Sequence, residues 1–275
     1  DMMLNAQPVI YDEAGRPWSP RNDGHGRIGE MVDLKWALTY SNNWISARLM
    51  EQLSPATLVR TLHNFGITNS IDPVISLCLG PCEVSVREMV GAYTAYANHG
   101  MRAEPMYVTS IEDANGNVIA EFSPRHSEVI SEEAYAKILY MLNSVVDSGT
   151  ANRLRRPPFN LVAEMGAKTG TTNNNSDAWF MEFSPELVNG AWVGGDERYI
   201  HFNSMAAGQG AAAALPIVGR YLSKVYADRS LPYSQSARFN VDFSNVCDNA
   251  FSHYEGDYDP TASGAVEETI DNVFD

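Results

Sequence analysis

Three strand-length segments, residues 163–172, 178–183 and 188–194, follow one another with connections of only a few residues. A parallel pair needs a crossover of a dozen residues or more, so segments this close pair with one another as antiparallel neighbours. The turn at Ser184, Pro185 and Glu186 joins the second segment to the third. Residues 211–226, rich in small side chains, read as one helix able to lie flat on such a sheet. This block confines the chain to folds built on an antiparallel sheet with helices against it.

Upstream the texture is mostly helical. Residues 1–29 are rich in Pro, Asn, Gly and Asp without a sustained apolar period, which predicts a loop with one short strand at 7–11. Met31, Leu34, Trp36, Ala37 and Leu38 open a helical pattern that breaks at Ser41, Asn42 and Asn43 and resumes with Trp44, Ile45, Ala47, Leu49, Met50 and Leu53. Residues 41–43 are therefore expected between two helices. Ser54 and Pro55 supply an N-cap and a first-turn proline for a helix over 56–65, and Gly66 supplies its left-handed stop. Ser85 and Glu88 stand at capping-box spacing in a helix over 83–98 that ends near Gly100. Segments 106–112 and 118–122 flank the turn signal at 113–117 and read as two short strands. Ser131 caps a further helix to about Val146, stopped by Gly149. The expected fold class is α+β: an antiparallel sheet flanked by helices on both faces, plus a helical cluster.

Charge and composition exclude several functions. The formal net charge of −15 over 275 residues repels phosphate backbones and anionic lipid head groups, so nucleic acid is not an expected partner. No run of 18 apolar residues occurs and the first residues lack a basic region followed by an apolar one, so neither a membrane span nor a signal peptide is read here. Cys78, Cys82 and Cys247 lack the CxxC pairs or His spacing that zinc needs, and no metal site or other cofactor is expected. Cys78 and Cys82 leave two readings open, a disulfide formed in an oxidising compartment or two packed thiols. Acidic side chains outnumber the single base Arg238 from residue 235 onward, which divides the chain into a domain at 1–234 and a weakly ordered acidic tail at 235–275.

The chemistry-bearing signal is Gly166-Ala167-Lys168-Thr169-Gly170-Thr171-Thr172, followed by Asp177-Ala178-Trp179-Phe180 and Trp192-Val193-Gly194-Gly195-Asp196. Ser41-Asn42-Asn43 lies upstream, ahead of a helix; alone it would be a helix-cap signature and nothing more. Shorter blocks stand between them: Leu79-Gly80, Glu83-Val84-Ser85, Ala97-Asn98-His99-Gly100 and Gly149-Thr150-Ala151. Over residues 18–226 the chain resembles the transpeptidase domain of class A, bifunctional penicillin-binding proteins, with a KTG strand and an SxN turn.

That resemblance implies a serine β-lactamase/transpeptidase-like fold and a D,D-transpeptidase that cross-links peptidoglycan stem peptides through an acyl-enzyme. Ser41 would pass a proton to the leaving nitrogen and Asn43 would hold the acyl-side amide. Lys168 would supply positive potential for the terminal carboxylate. Thr169, Gly170, Thr171 and Thr172 would form the substrate strand, with Thr169 and Thr171 hydrogen-bonding that carboxylate and the Thr171 N–H serving the oxyanion. D-Ala-D-Ala stem peptides and β-lactams are the implied partners, together with other cell-wall synthesis proteins. The implied setting is the periplasmic or extracytoplasmic face of the membrane, in a parent that also carries a glycosyltransferase and an anchor. In the family the acylating serine belongs to a Ser-x-x-Lys motif, and no serine in this sequence has Lys three positions later. The expectation is a domain incomplete at its N-terminus, without a nucleophile and inactive alone. A D,D-carboxypeptidase or β-lactamase relative and a non-catalytic peptidoglycan-binding module remain as alternatives.

Overall fold

The computed structural model describes residues 2–243 except 13 and 25, and also residue 246. The chain begins with the strands β1 (Met2–Leu4), β2 (Ile10–Tyr11), β3 (Pro17–Trp18) and β4 (Met31–Asp33), in which β1 pairs with β4 and β2 with β3. Three helices follow: α1 (Leu34–Thr39), α2 (Asn43–Leu53) and α3 (Pro55–Asn64). A 3₁₀ turn at Ile75–Leu79 leads to α4 (Val86–Ala97). Two small antiparallel ribbons come next, made by β5 (Met101–Ala103) with β8 (His126–Glu128) and by β6 (Ser110–Glu112) with β7 (Val118–Glu121). The second half holds α5 (Glu132–Asp147), the sheet strands β9 (Gly166–Thr171), β10 (Asp177–Phe183) and β11 (Val188–Gly194), and α6 (Met205–Gly208), α7 (Gly210–Ala213) and α8 (Leu215–Ala227).

The sheet runs β11-β10-β9, antiparallel throughout, so β9 is an edge strand. Its pleat sorts side chains onto two helical layers. Ala178 and Phe180 of β10 and Ala191 of β11 are buried with Leu215, Val218 and Leu222 of α8. From the opposite face Phe183 packs with Leu139 and Leu142 of α5 and with Tyr93 of α4. A separate cluster, with Met50, Phe65, Ile67, Leu77 and Ala95 at its centre, joins α2, α3 and α4. The expected α+β architecture, a sheet between helices with a helical cluster beside it, is the one observed.

Local differences from the sequence reading have physical causes. Met31–Asp33 is a strand and not the start of a helix, because Asp33 is the N-cap of α1 and accepts from the Trp36 N–H at 2.6 Å. The strand expected at 7–11 shrinks to Ile10–Tyr11, and β1 was not anticipated. The single helix expected over 211–226 is two, with Ala214 between them. Pro216 lies in the first turn of α8, where its missing N–H costs no hydrogen bond and its ring would clash with a continuing helix.

Cys78 and Cys82 are free thiols packed against the helical cluster, and burial raises both, Cys78 to about 11. Cys247 lies outside the described residues. Within the stretch assigned to a tail, Phe239 is 2% exposed and packs with Tyr135 and Phe183. Residues 247–275 of that stretch are outside the described residues.

Candidate active site

The turn between α1 and α2 is shaped by its own backbone and by asparagines. Ser41 has φ +55, and its N–H donates to Leu38 O while that of Asn42 donates to Ala37 O. Asn42, 3% exposed, caps α2 by accepting from the Ile45 N–H at 3.0 Å and donates through Nδ2 to Asn5 Oδ1 at 2.9 Å. The backbone of Ser41 is thereby fixed in the sparsely populated left-handed region, with its hydroxyl turned to β9.

Lys168 Nζ donates to Ser41 Oγ at 2.7 Å and to the Thr169 carbonyl at 2.7 Å, which joins the two motifs across 127 residues. Burial lowers the Lys168 ammonium to about 8. No carboxylate forms an ion pair with it among the described residues. Thr169 donates to Thr150 Oγ1 at 3.0 Å, and Thr171 Oγ1 accepts from the Gly210 N–H at 3.0 Å. Gly210 must be glycine here, since a Cβ would lie 2.4 Å from Trp179 O and 2.7 Å from Gly170 O. Gly170 keeps the strand bare opposite Trp179, its register partner.

Ser41, Lys168, Thr169, Gly170 and Thr171 are therefore gathered along β9 and the facing turn. Asn43 and Thr172 are turned elsewhere. The Asn43 amide donates through Nδ2 to Arg21 O at 2.8 Å and its N–H to Asn22 Oδ1 at 2.9 Å. Thr172 Oγ1 accepts from the Asp177 N–H at 2.9 Å and meets Ser176 Oγ at 3.1 Å, inside the β9–β10 turn.

Sequence reasoning did not assign the support behind these groups. Thr39 donates to Lys35 O, shares a short hydrogen bond with Ser144 of α5, and through its carbonyl accepts from the Thr150 N–H at 3.3 Å. A Cβ on Gly149 would sit 2.3 Å from that same carbonyl, so only glycine permits the approach of α5 to α1. The one available signal was the Gly149-Thr150-Ala151 block, whose local meaning is a helix stop. Among the described residues no group of three or more His, Cys, Asp or Glu is arranged to hold a metal ion, and no helix is long and apolar enough to cross a membrane.

Residues 4–195 match the family model of the penicillin-binding protein transpeptidase domain, and the chain belongs to that family. Among its relatives are penicillin-binding proteins 1A. That of Aquifex aeolicus is 33% identical over 221 residues, covering 80% of this chain and 29% of that protein. That of Neisseria lactamica is 31% identical over 233 residues, covering 80% and 28% respectively. The chain thus spans less than a third of the length of these relatives. The fold is shared with the crystal structure of penicillin-binding protein 1A from Haemophilus influenzae, at a TM-score of 0.73 and 22% identity over 84% of this chain and 40% of that one. It is shared too with PonA1 from Mycobacterium tuberculosis in complex with penicillin V, at a TM-score of 0.64 and 20% identity over 85% of this chain and 64% of that one.

Proposed function

We propose that residues 2–243 form the stem-peptide-recognising part of a serine-type peptidoglycan D,D-transpeptidase, and that the acylating Ser-x-x-Lys is supplied from outside this sequence. The observation that carries the reading is the contact of Lys168 Nζ with Ser41 Oγ at 2.7 Å beside the Thr169 and Thr171 hydroxyls. Two hydroxyls and an ammonium on one rim suit the carboxylate of a D-Ala-D-Ala terminus, or that of a β-lactam. An extended peptide can lie along the open edge of β9 by strand addition.

The hydrogen-bond directions give Ser41 its role. Because Lys168 donates to Ser41 Oγ, the serine's own proton is free to go to the nitrogen of the scissile amide as its C–N bond breaks. Lys168, held to about 8, can return a proton to Ser41 near neutral pH. The acyl group, left as an ester on the supplied serine, is then taken by the amine of a second stem peptide, which restores the serine hydroxyl. The reaction belongs to the extracytoplasmic face of the membrane, where peptidoglycan lies, and the length beyond this chain in the relatives accommodates an anchor and a glycan-polymerising domain.

Intact-mass spectrometry with excess penicillin tests this. Residues 1–275 alone remain unmodified, because the Ser-x-x-Lys pair is absent from the sequence and Lys168 donates to Ser41 as an ammonium where a base would have to accept its proton, whereas a longer product carrying a Ser-x-x-Lys segment gains one adduct. In that longer product Lys168→Ala slows acylation by about 100-fold or more. A stoichiometric adduct on the short chain, or unchanged labelling of the Lys168→Ala protein, overturns the reading.

A further inference from the structure

We propose that Thr150 is a positioning residue for carboxylate recognition, acting through the hydroxyl of Thr169. The inference rests on the reading of β9 as the strand that binds a substrate carboxylate and adds to it a residue outside both motifs. Thr150 follows the C-terminus of α5 and touches both motif-bearing segments. Its N–H donates to the Thr39 carbonyl, two residues before Ser41, and its Oγ1 accepts from Thr169 at 3.0 Å. The same residue therefore ties the serine turn to the lysine strand and sets where the Thr169 hydroxyl points.

The two strand threonines are not equivalent. Thr171 Oγ1 accepts from the Gly210 N–H, which leaves its own proton uncommitted and ready to donate to an anion. Thr169 spends its proton on Thr150, so to donate to a carboxylate it must turn that proton away. The loss is compensated only if Thr150 then donates to Thr169. Thr150 can, because among the described residues nothing accepts its hydroxyl proton. The bound state is then a chain from Thr150 to Thr169 to carboxylate, in which each hydroxyl polarises the next. Without the Thr150 hydroxyl, Thr169 can still donate but its oxygen has no donor behind it and its rotamer has no anchor.

The test is an NMR titration of the isotopically labelled 275-residue chain with N-acetyl-D-Ala-D-Ala and, separately, with its C-terminal amide. The quantity read is the ratio of the two affinities, which a general loosening of the fold moves little. Wild type favours the acid. Thr150→Val, isosteric and still able to donate its N–H to Thr39, reduces the acid-to-amide ratio by about threefold to tenfold, the scale of one hydrogen bond between neutral groups. Thr150→Ser restores it, and Thr150→Val adds nothing in a Thr169→Val background. Should Thr150→Val fail to fold, Thr150→Ala is read in its place with the same expectation. An unchanged ratio in the hydroxyl-free variants overturns the proposal, as does an equal loss in the Val and Ser variants, which would mark a packing role. A wild-type chain without preference for the acid overturns the carboxylate reading of β9 and this inference with it, and that result is visible before any variant is made.

Discussion

Burial acts on two ionisable side chains of the central sheet in opposite senses. Lys168 on β9 is lowered to about 8, and Glu182 on β10, fully buried, is raised to about 8. For both the cause is desolvation, which disfavours the charged form. Glu182 accepts from Asn189 Nδ2 at 2.7 Å through one oxygen while the other has no hydrogen-bond partner among the described residues, and Arg155, engaged with Asp147, offsets its burial by charge. Its folded state holds the proton more tightly than the unfolded chain does, so this group's contribution to stability falls as pH rises from about 4.5 to about 8 and is flat above. Glu182→Gln is expected to flatten the dependence of thermal stability on pH across that window. Melting curves at intervals from pH 5 to pH 9 check it, and an unaltered slope would place the titration elsewhere. Lys168 works in the other direction for ligands. Carboxylate binding needs the ammonium, so affinity for N-acetyl-D-Ala-D-Ala should fall by up to about tenfold per pH unit once pH exceeds the ligand-free lysine's value of about 8, while the C-terminal amide, lacking the charge, shows a much weaker trend. A bound carboxylate favours the ammonium and holds the lysine higher in the complex, so the fall levels off once pH passes that higher value.

At the scale of elements, the best-determined joint is the start of α4. Ser85 accepts from the Glu88 N–H while the Glu88 carboxylate accepts from the N–H and hydroxyl of Ser85 and also from those of Thr68. These four donors hold Glu88 down at about 2. Glu88→Ala removes both the box and the tie to the loop after α3, at a cost of about 1–2 kcal/mol at neutral pH by chemical denaturation. The contribution is present above the unfolded carboxylate value and is lost as pH falls toward about 2, so the mutant and wild type should converge in acid. Such caps explain why α2 to α5 were legible from residues a few positions apart: Asn42, Ser54, Ser85 and Ser131 each mark a start that the structure keeps. The same locality explains the misses. The pairing of β1 with β4 joins residues about thirty positions apart, and neither strand is long enough to show a period. In the site, Ser41 and Lys168 could be named because each lies in a recognisable run. The carbonyl of Thr39, the hydroxyl of Ser144 and the bare Cα of Gly149 matter only through contacts that folding creates, so no local pattern announces them.

At the scale of the whole molecule, the end of the described chain acts as a strap over the layer that carries α4 and α5. After α8 the chain returns across the sheet end: the Ser234 N–H donates to Glu186, Gln235 Oε1 accepts from the Val162 N–H at 2.7 Å, and the Phe239 N–H donates to Glu164 at 3.1 Å. Phe239 then enters the cluster of Tyr135, Leu139, Leu142 and Phe183, with its ring 5.7 Å from that of Phe183. The ring of Phe243 lies tilted against that of Tyr140 at 5.6 Å, and the Tyr140 hydroxyl accepts from Lys35 of α1. An aromatic ring removed from such a cluster costs about 3–5 kcal/mol, a large part of the about 5–15 kcal/mol that holds a domain together. Phe239→Ala is therefore expected to lower the urea midpoint markedly with little change in slope, and truncation after Ser234 to do so at least as strongly, since it also removes the hydrogen bonds of Gln235 to Val162 and of Phe239 to Glu164. Both act from the far side of α5, the helix whose C-terminal end presents Gly149 and Thr150 to the serine turn. Carboxylate preference measured at low temperature, where the variants remain folded, should survive Phe239→Ala within about twofold, because Thr150 and Thr169 are untouched. A midpoint within experimental scatter of wild type would show that residues 235–243 contribute nothing to the stability of the domain.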